Sequence, residues 1–353
     1  LIHRSPESRP VNRTNRAEAS RPVAEQVADW WPAGFLADDR AREAAGDGVR
    51  PESRPALREA PSLDDANAYC RSLATGHYEN FPLVSWLLPK GLHQHFYNVY
   101  AFCRWADDLG DEIGDTKRSL ELLGWWRHEL TECYAGRCRH PVFVALRPTI
   151  DEFDIPEQPF ADLISAFEQD QRLLEYDTHD QVLDYCTRSA NPVGRIVLHL
   201  CRQISDQTFA WSDSICTGLQ LANFWQDVGR DLDINRIYLP KEDRDRFGVN
   251  REDLFARRTT DGFLKLMEFE VDRARDLLKS GLPLVEVLPG PLQIDIELFA
   301  RGGLCILDRT ERIGYGVLET RPVVTKIDGL RMLSACLLNA ACRKFLPNRR
   351  LSA

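Results

Sequence analysis

The sequence predicts an all-α fold, and three observations support that expectation. Apolar residues recur at three- and four-residue spacing through 92–105, 120–134, 160–175, 193–205, 212–228, 262–280, 294–313 and 327–345, the period of an amphipathic helix. Alternation of apolar and polar residues, the mark of a half-buried strand, is nearly absent. The breaks fall at proline and glycine clusters, "RCRHPV", "DIPEQP" and "SGLPLVEVLPGP", as helix boundaries do. Roughly ten helices in one domain, residues 61–347, are expected from this pattern.

Along the chain, residues 1–60 are a different material, rich in Arg, Pro, Ala, Glu and Ser. Such a composition predicts a mostly disordered arm. Its one apolar patch, "VADWWPAGFL", carries Trp30 and Trp31. "PESRP" occurs at 6–10 and 51–55, a repeat whose period fits no solenoid. The helical domain opens at "PSLDDANAYC", where Ser62 can cap a helix with Asp65 three residues on. It closes before a short basic tail, 348–353, read as a solvated end. With 16 Phe, 9 Tyr and 8 Trp in 353 residues, a sizeable core can form. The net charge of −9 argues against a nucleic-acid partner, which needs clustered Lys and Arg. The ten cysteines include no C-x-x-C pair and sit mostly among apolar neighbours, as core thiols of a reducing compartment do. No apolar run is long enough to span a bilayer and no signal peptide is visible, so a cytoplasmic protein is expected.

Two segments depart from the ordinary amphipathic pattern. In "LANFWQDVGRDLDINRIYLP", Asp227 and Asp231 stand four apart, with Asn223 and Gln220 one and two turns earlier on the same helix face. In "YAFCRWADDLGDE", Asp107 and Asp111 repeat that spacing. Two like charges so placed cost about 0.2–0.5 kcal/mol, and a solvated face would be polar along its length. Here the acidic stripe is short and flanked by Tyr, Phe and Trp. Two such helices facing each other would set four carboxylates around one cavity. Hard oxygen ligands suit Mg²⁺, which shares substrate phosphates and offsets the repulsion. Arg104, one turn before Asp107, and Arg236, after the second pair, suit phosphate oxygens. Aromatics such as Phe81, Tyr97, Tyr100 and Trp225 could face a carbocation left by departing diphosphate.

These residues carry a resemblance. From about 62 to 345 the chain resembles the squalene and phytoene synthases, through "HYENF" at 77–81, "YAFCRWADDLGD" and "QLANFWQDVGRDLDINRIYLP". The resemblance implies an all-α isoprenoid-synthase bundle with a central cavity. It assigns Asp107, Asp111, Asp227 and Asp231 to Mg²⁺–diphosphate binding. It places Arg104, Gln220, Asn223, Arg236 and Tyr238 near the diphosphate, Phe81 and Tyr100 along the prenyl channel, and His77 near the cavity mouth. "HYENFP", "YCTRSANPVGR" and the second acidic segment point to the bacterial hydroxysqualene synthase branch. One departure from the one-enzyme squalene synthases agrees with that branch. Arg188 stands where they carry a tyrosine implicated in the first half-reaction, and a guanidinium cannot do a phenol's proton chemistry.

The expected activity is therefore Mg²⁺-dependent conversion of presqualene diphosphate to hydroxysqualene in bacterial squalene and hopanoid biosynthesis. A water placed by a residue such as Asn191 or Tyr185 would end the reaction, and partner enzymes of the pathway would supply the substrate. Peripheral contact with the inner face of the membrane is expected, because substrate and product are long apolar chains. Two alternatives stay open: a synthase condensing two farnesyl or geranylgeranyl diphosphates to presqualene diphosphate, squalene or phytoene, and a non-catalytic helical assembly factor of the same fold.

Overall fold

Caps and prolines set the helix boundaries. In the computed structural model the described residues are 21–30, 59–76 and 88–345. Among them the chain forms fifteen α-helices, one 3₁₀ turn at Lys90–Leu92 and no strand, only an isolated parallel bridge between Glu175 and Ile237. They fall into two compact units, one holding 21–30, 59–76 and 90–157, the other 88–89 and 158–345.

The first unit contains α1 (Val23–Trp30), α2 (Leu63–Gly76), α3 (His93–Asp111), α4 (Thr116–Tyr134) and α5 (Pro141–Phe153). Ser62 caps α2 as expected, its Oγ accepting from the Asp65 N–H at 3.2 Å. Asp115 caps α4 through the Arg118 N–H. α5 was not visible as a periodic stretch. It begins inside the "RCRHPV" break, with Pro141 at its first position, where a missing N–H costs nothing. The core is aromatic. Trp105 and Trp126 stack with centroids 5.2 Å apart, and His140 stands edge-on to both at 4.4 and 5.0 Å. Such pairs contribute about 0.5–1.5 kcal/mol each beyond their buried area. Burial holds the His140 imidazole well below its ordinary pKa, so its Nδ1 can accept from the Val142 N–H.

The N-terminal arm needs correction at residues 23–30. These form a helix, with Val23 and Val27 buried on one face. Trp105 Nε1 donates to the Tyr69 hydroxyl at 2.9 Å, and that hydroxyl donates to the buried Gln26 Oε1 at 2.8 Å. Trp30 meets His140 edge-on at 5.2 Å. Positions 23, 27 and 30 follow helical spacing, and the partner that orders them lies far along the chain, where composition cannot show it. Trp31 lies outside the described residues.

The second unit runs α6 (Gln158–Asp170), α7 (His179–Ser189), α8 (Asn191–Leu200), α9 (Asp206–Asp233), α10 (Lys241–Phe247), α11 (Arg251–Phe255), α12 (Asp261–Gly281), α13 (Pro283–Val287), α14 (Pro291–Arg312) and α15 (Lys326–Phe345). The 28-residue α9 is its axis, opened by a Ser205–Thr208 capping box and packed on α8, α12 and α14. Gly218 lets α12 approach: a Cβ there would lie 2.8 Å from Leu278 Cγ. The expected helix 160–175 stops at Asp170. Beyond it the backbone pairs with the segment after α9, where the Ile237 N–H donates to the Leu174 carbonyl at 2.7 Å and the Lys241 N–H to the Tyr176 carbonyl at 2.8 Å. Asn235, in the left-handed region at φ 61°, makes the reversal that brings Arg236–Tyr238 back. All ten cysteines are free. No helix among the described residues is long and apolar enough to cross a membrane.

Candidate functional site

α9 carries two chemistries along one side. Its first half, through Ser212, Cys216 and Leu219, walls a cavity of ≈190 Å³ closed by Val193, Leu284 and Phe299 among others. Gly194 sits in that wall because α8 crosses so close: a Cβ would lie 2.3 Å from Ser212 Oγ and 2.6 Å from Cys216 Sγ. The second half continues the side with Gln220, Asn223, Asp227 and Asp231. At 1.5 Å per residue, Leu219 and Asp231 are about 18 Å apart along the axis.

The acidic half is crowded. Asp227 is forked by Arg321, Nε to Oδ1 at 2.5 Å and Nη2 to Oδ2 at 2.9 Å, with Arg230 at 3.8 Å. The Arg321 segment is held to α9 by Gln226 Nε2, which donates to the Pro322 carbonyl at 2.6 Å. Asp231 is half-buried; burial, then the charges of Asp227 and Asp170, push its carboxyl up to about 7 against the pull of Arg236. Asp231, Arg236, Tyr238 and Trp225 share a crevice of ≈10 Å³, space on the order of one water. Tyr238 lies flat on Phe224, centroids 3.7 Å apart at 7°. Tyr185 donates its hydroxyl to Asp170 Oδ2 at 2.7 Å. Burial, and next the Asp170 charge, raise both phenols. Asn191 Oδ1 accepts from Thr217 at 2.9 Å. Arg188, in the last turn of α7, pairs with Asp184.

On α3 the other pair is more open. Asp111, the last helical residue, is exposed and Asp107 partly so. Arg104 sits among carboxylates: Nη2 lies 2.6 Å from Asp108 and 3.1 Å from Glu112, and Nη1 lies 3.7 Å from Asp107. Asp108 is buried, and burial pushes its carboxyl up to about 7 despite Arg104. Tyr100 is half-buried, and burial raises its phenol while Arg104 opposes.

The structure thus places Gln220, Asn223, Asp227, Asp231, Arg236 and Tyr238 in the second unit and Tyr100, Arg104, Asp107 and Asp111 in the first. His77 and Phe81 lie outside the described residues. Three participants escaped the sequence reading. Asp108 was legible as the i+4 partner of Arg104; Asp170 and Arg321 had no local signal, since their neighbours are supplied by the fold.

An all-helical fold whose longest helix joins an apolar cavity wall to a carboxamide–carboxylate face is that of the isoprenoid synthases. The chain belongs to the squalene/phytoene synthase family, whose model matches residues 74–328. Members are enzymes of head-to-head isoprenoid synthesis. The chain is 37% identical over 219 residues to a hydroxysqualene synthase from Rhodopseudomonas palustris, covering 61% of this chain and 73% of that one. It is 30% identical over 287 residues to a phytoene synthase from Arthrospira platensis, covering 76% and 92%. Among solved structures it is similar to the squalene synthase HpnC from Alicyclobacillus acidocaldarius, with TM-score 0.69, 43% identity, and 72% and 95% coverage.

Proposed function

We propose that this enzyme converts presqualene diphosphate and water to hydroxysqualene and diphosphate. The observation that carries the reading is the two chemistries of α9, whose first half walls an apolar cavity and whose second half carries the acidic pair. A prenyl chain suits the first and a cation-bound diphosphate the second.

The donors fit Mg²⁺. Asp227 and Asp231 are hard oxygen donors on successive turns, and burial together with the Asp227 charge raises the Asp231 carboxyl, a cost that a bound cation would offset. Asp107, Asp111, Asp227 and Asp231 would hold the ions, which supply charge neutralisation for a leaving diphosphate. The chain's own groups do the rest. Arg104, Arg236 and Arg321 offer guanidinium forks to phosphate oxygens. Gln220 and Asn223 orient polar atoms at the border between the two chemistries. The cavity wall keeps bulk water from the prenyl chain. One water, admitted beside the cation and oriented by a polar side chain, forms the new C–O bond and releases a proton.

Two things favour the hydroxysqualene branch. Arg188 occupies the place of a proton-handling phenol, and hydroxysqualene synthases are among the relatives. The test is product analysis with purified protein and Mg²⁺. Presqualene diphosphate should give hydroxysqualene, with or without NADPH, and farnesyl diphosphate alone should give little product. Squalene made efficiently from farnesyl diphosphate and NADPH, or phytoene from geranylgeranyl diphosphate, would move the chain to those branches. A pathway synthase would deliver the substrate, and the enzyme would work at the inner membrane surface. High salt or mild detergent should then release it from membrane fractions; resistance to both would count against surface association.

A further inference from the structure

Away from both acidic faces, three helices of the second unit converge on another set of groups. His179 opens α7, Asp243 lies in the first turn of α10, and Glu270 lies in the middle of α12. One ligating atom of each lies within 4.8 Å of the other two. Asp243 is 4% exposed and Glu270 0%. Carboxylates so deeply buried need opposite charge and hydrogen bonds. Arg273 supplies part of this, its Nη1 lying 2.7 Å from Asp243 Oδ2 and 3.3 Å from Glu270 Oε1.

One guanidinium balances only one of two carboxylates. Glu270 Oε2 and His179 Nδ1 are both buried with no hydrogen-bond partner. A closed salt-bridge network would not leave both in that state. The start of α7 is anchored here as well, because the His179 backbone N–H donates to Glu242 Oε1 at 2.7 Å. The three groups thus converge from three separate helices. An imidazole nitrogen with two carboxylate oxygens is a donor set for a borderline divalent cation, whereas Mg²⁺ favours oxygen alone and keeps its waters. Arg273 on the outer carboxylate oxygens then orients the ligands, as a hydrogen-bonded partner behind a metal ligand does.

We propose that His179, Asp243 and Glu270 form a second cation site, for a divalent ion of the Zn²⁺ type, that ties α7, α10 and α12 together. It shares no residue with the acidic faces of α3 and α9, so it stands or falls apart from the proposed reaction.

The test uses Zn²⁺ itself on the full chain. Carrying Asp107→Asn and Asp227→Asn weakens the acidic faces as competitors. After chelator treatment and desalting, calorimetric titration with ZnCl₂ should show one saturable equivalent. Thermal unfolding should shift upward by about 3–6 °C, and Co²⁺ in place of Zn²⁺ should give visible ligand-field absorption. His179→Ala and Glu270→Gln, each added to this background, should weaken binding tenfold or more and abolish the Co²⁺ spectrum. Absence of a saturable equivalent overturns the proposal, and so does unchanged affinity in both variants. If Glu270→Gln does not fold, His179→Ala, at a residue only partly buried, decides alone.

Discussion

The acidic stretches of α3 and α9 have the same Asp-x-x-x-Asp spacing and different electrostatics. On α3 the pair is open to solvent and its arginine lies within the same helix, where Arg104 reaches Asp107, Asp108 and Glu112. On α9 the pair is half-buried and, beside Arg230 of the same helix at 3.8 Å, its nearest counter-charge arrives from outside the helix, Arg321 on Asp227 and Arg236 near Asp231. Identical spacing therefore says what a helix can present, and the surroundings decide how strongly each carboxylate holds its proton or seeks a cation.

The largest effect should come from removing one charge from each pair. Asp107→Asn and Asp227→Asn should each lower turnover on presqualene diphosphate by a factor on the order of 10²–10³, with far-UV circular dichroism unchanged. Turnover within a factor of a few of the parent in both would break the assignment of the two stripes to one chemistry.

Next comes the source of counter-charge. Arg104→Met leaves the buried Asp108 without its 2.6 Å partner and should destabilise the protein by about 2–4 kcal/mol. Arg321→Met removes a more exposed pair and should cost only about 0–1 kcal/mol, while raising KM for the diphosphate substrate. Equal stability losses in urea titrations would show that burial does not separate the two arginines.

The third contrast is in pH dependence, measured in metal-free buffer. The folded Asp231 carboxyl holds its proton up to about 7, from an ordinary value of 3.8. Between those values the folded state binds more protons than the unfolded, so this residue's contribution falls as pH rises through the window. Asp231→Asn should flatten that slope and stabilise the protein at pH 8 by about 1–2 kcal/mol, allowing for partial exposure. Asp111→Asn, at an exposed position, should stay within about 0.5 kcal/mol of the parent. Thermal melts from pH 4 to 8 read both, and parallel curves for the parent and Asp231→Asn would remove desolvation as the difference between the stripes.

Much of this was legible early. The period of α9, α12 and α14, the Ser62 cap and the acidic spacing are local properties. Sequence neighbours three and four apart share a helix face whatever the rest of the chain does. The end of α6 was not legible, because Leu173 and Leu174 continue an apolar pattern. Their backbone is instead taken up by the segment around Ile237, more than sixty residues on. Nor was α1, whose order depends on Tyr69 and Trp105.

What the sequence determined by itself was the all-α class and the two acidic faces, since each follows from residue type and short-range spacing. Tertiary structure alone decided that Arg321 forks Asp227, that Asp170 sits behind Tyr185 and crowds Asp231, that Gly194 brings α8 against the cavity wall, and that His179, Asp243 and Glu270 converge. Those relations join residues tens of positions apart, and Coulomb forces, desolvation and steric contact act across space, where spacing along the chain carries no information.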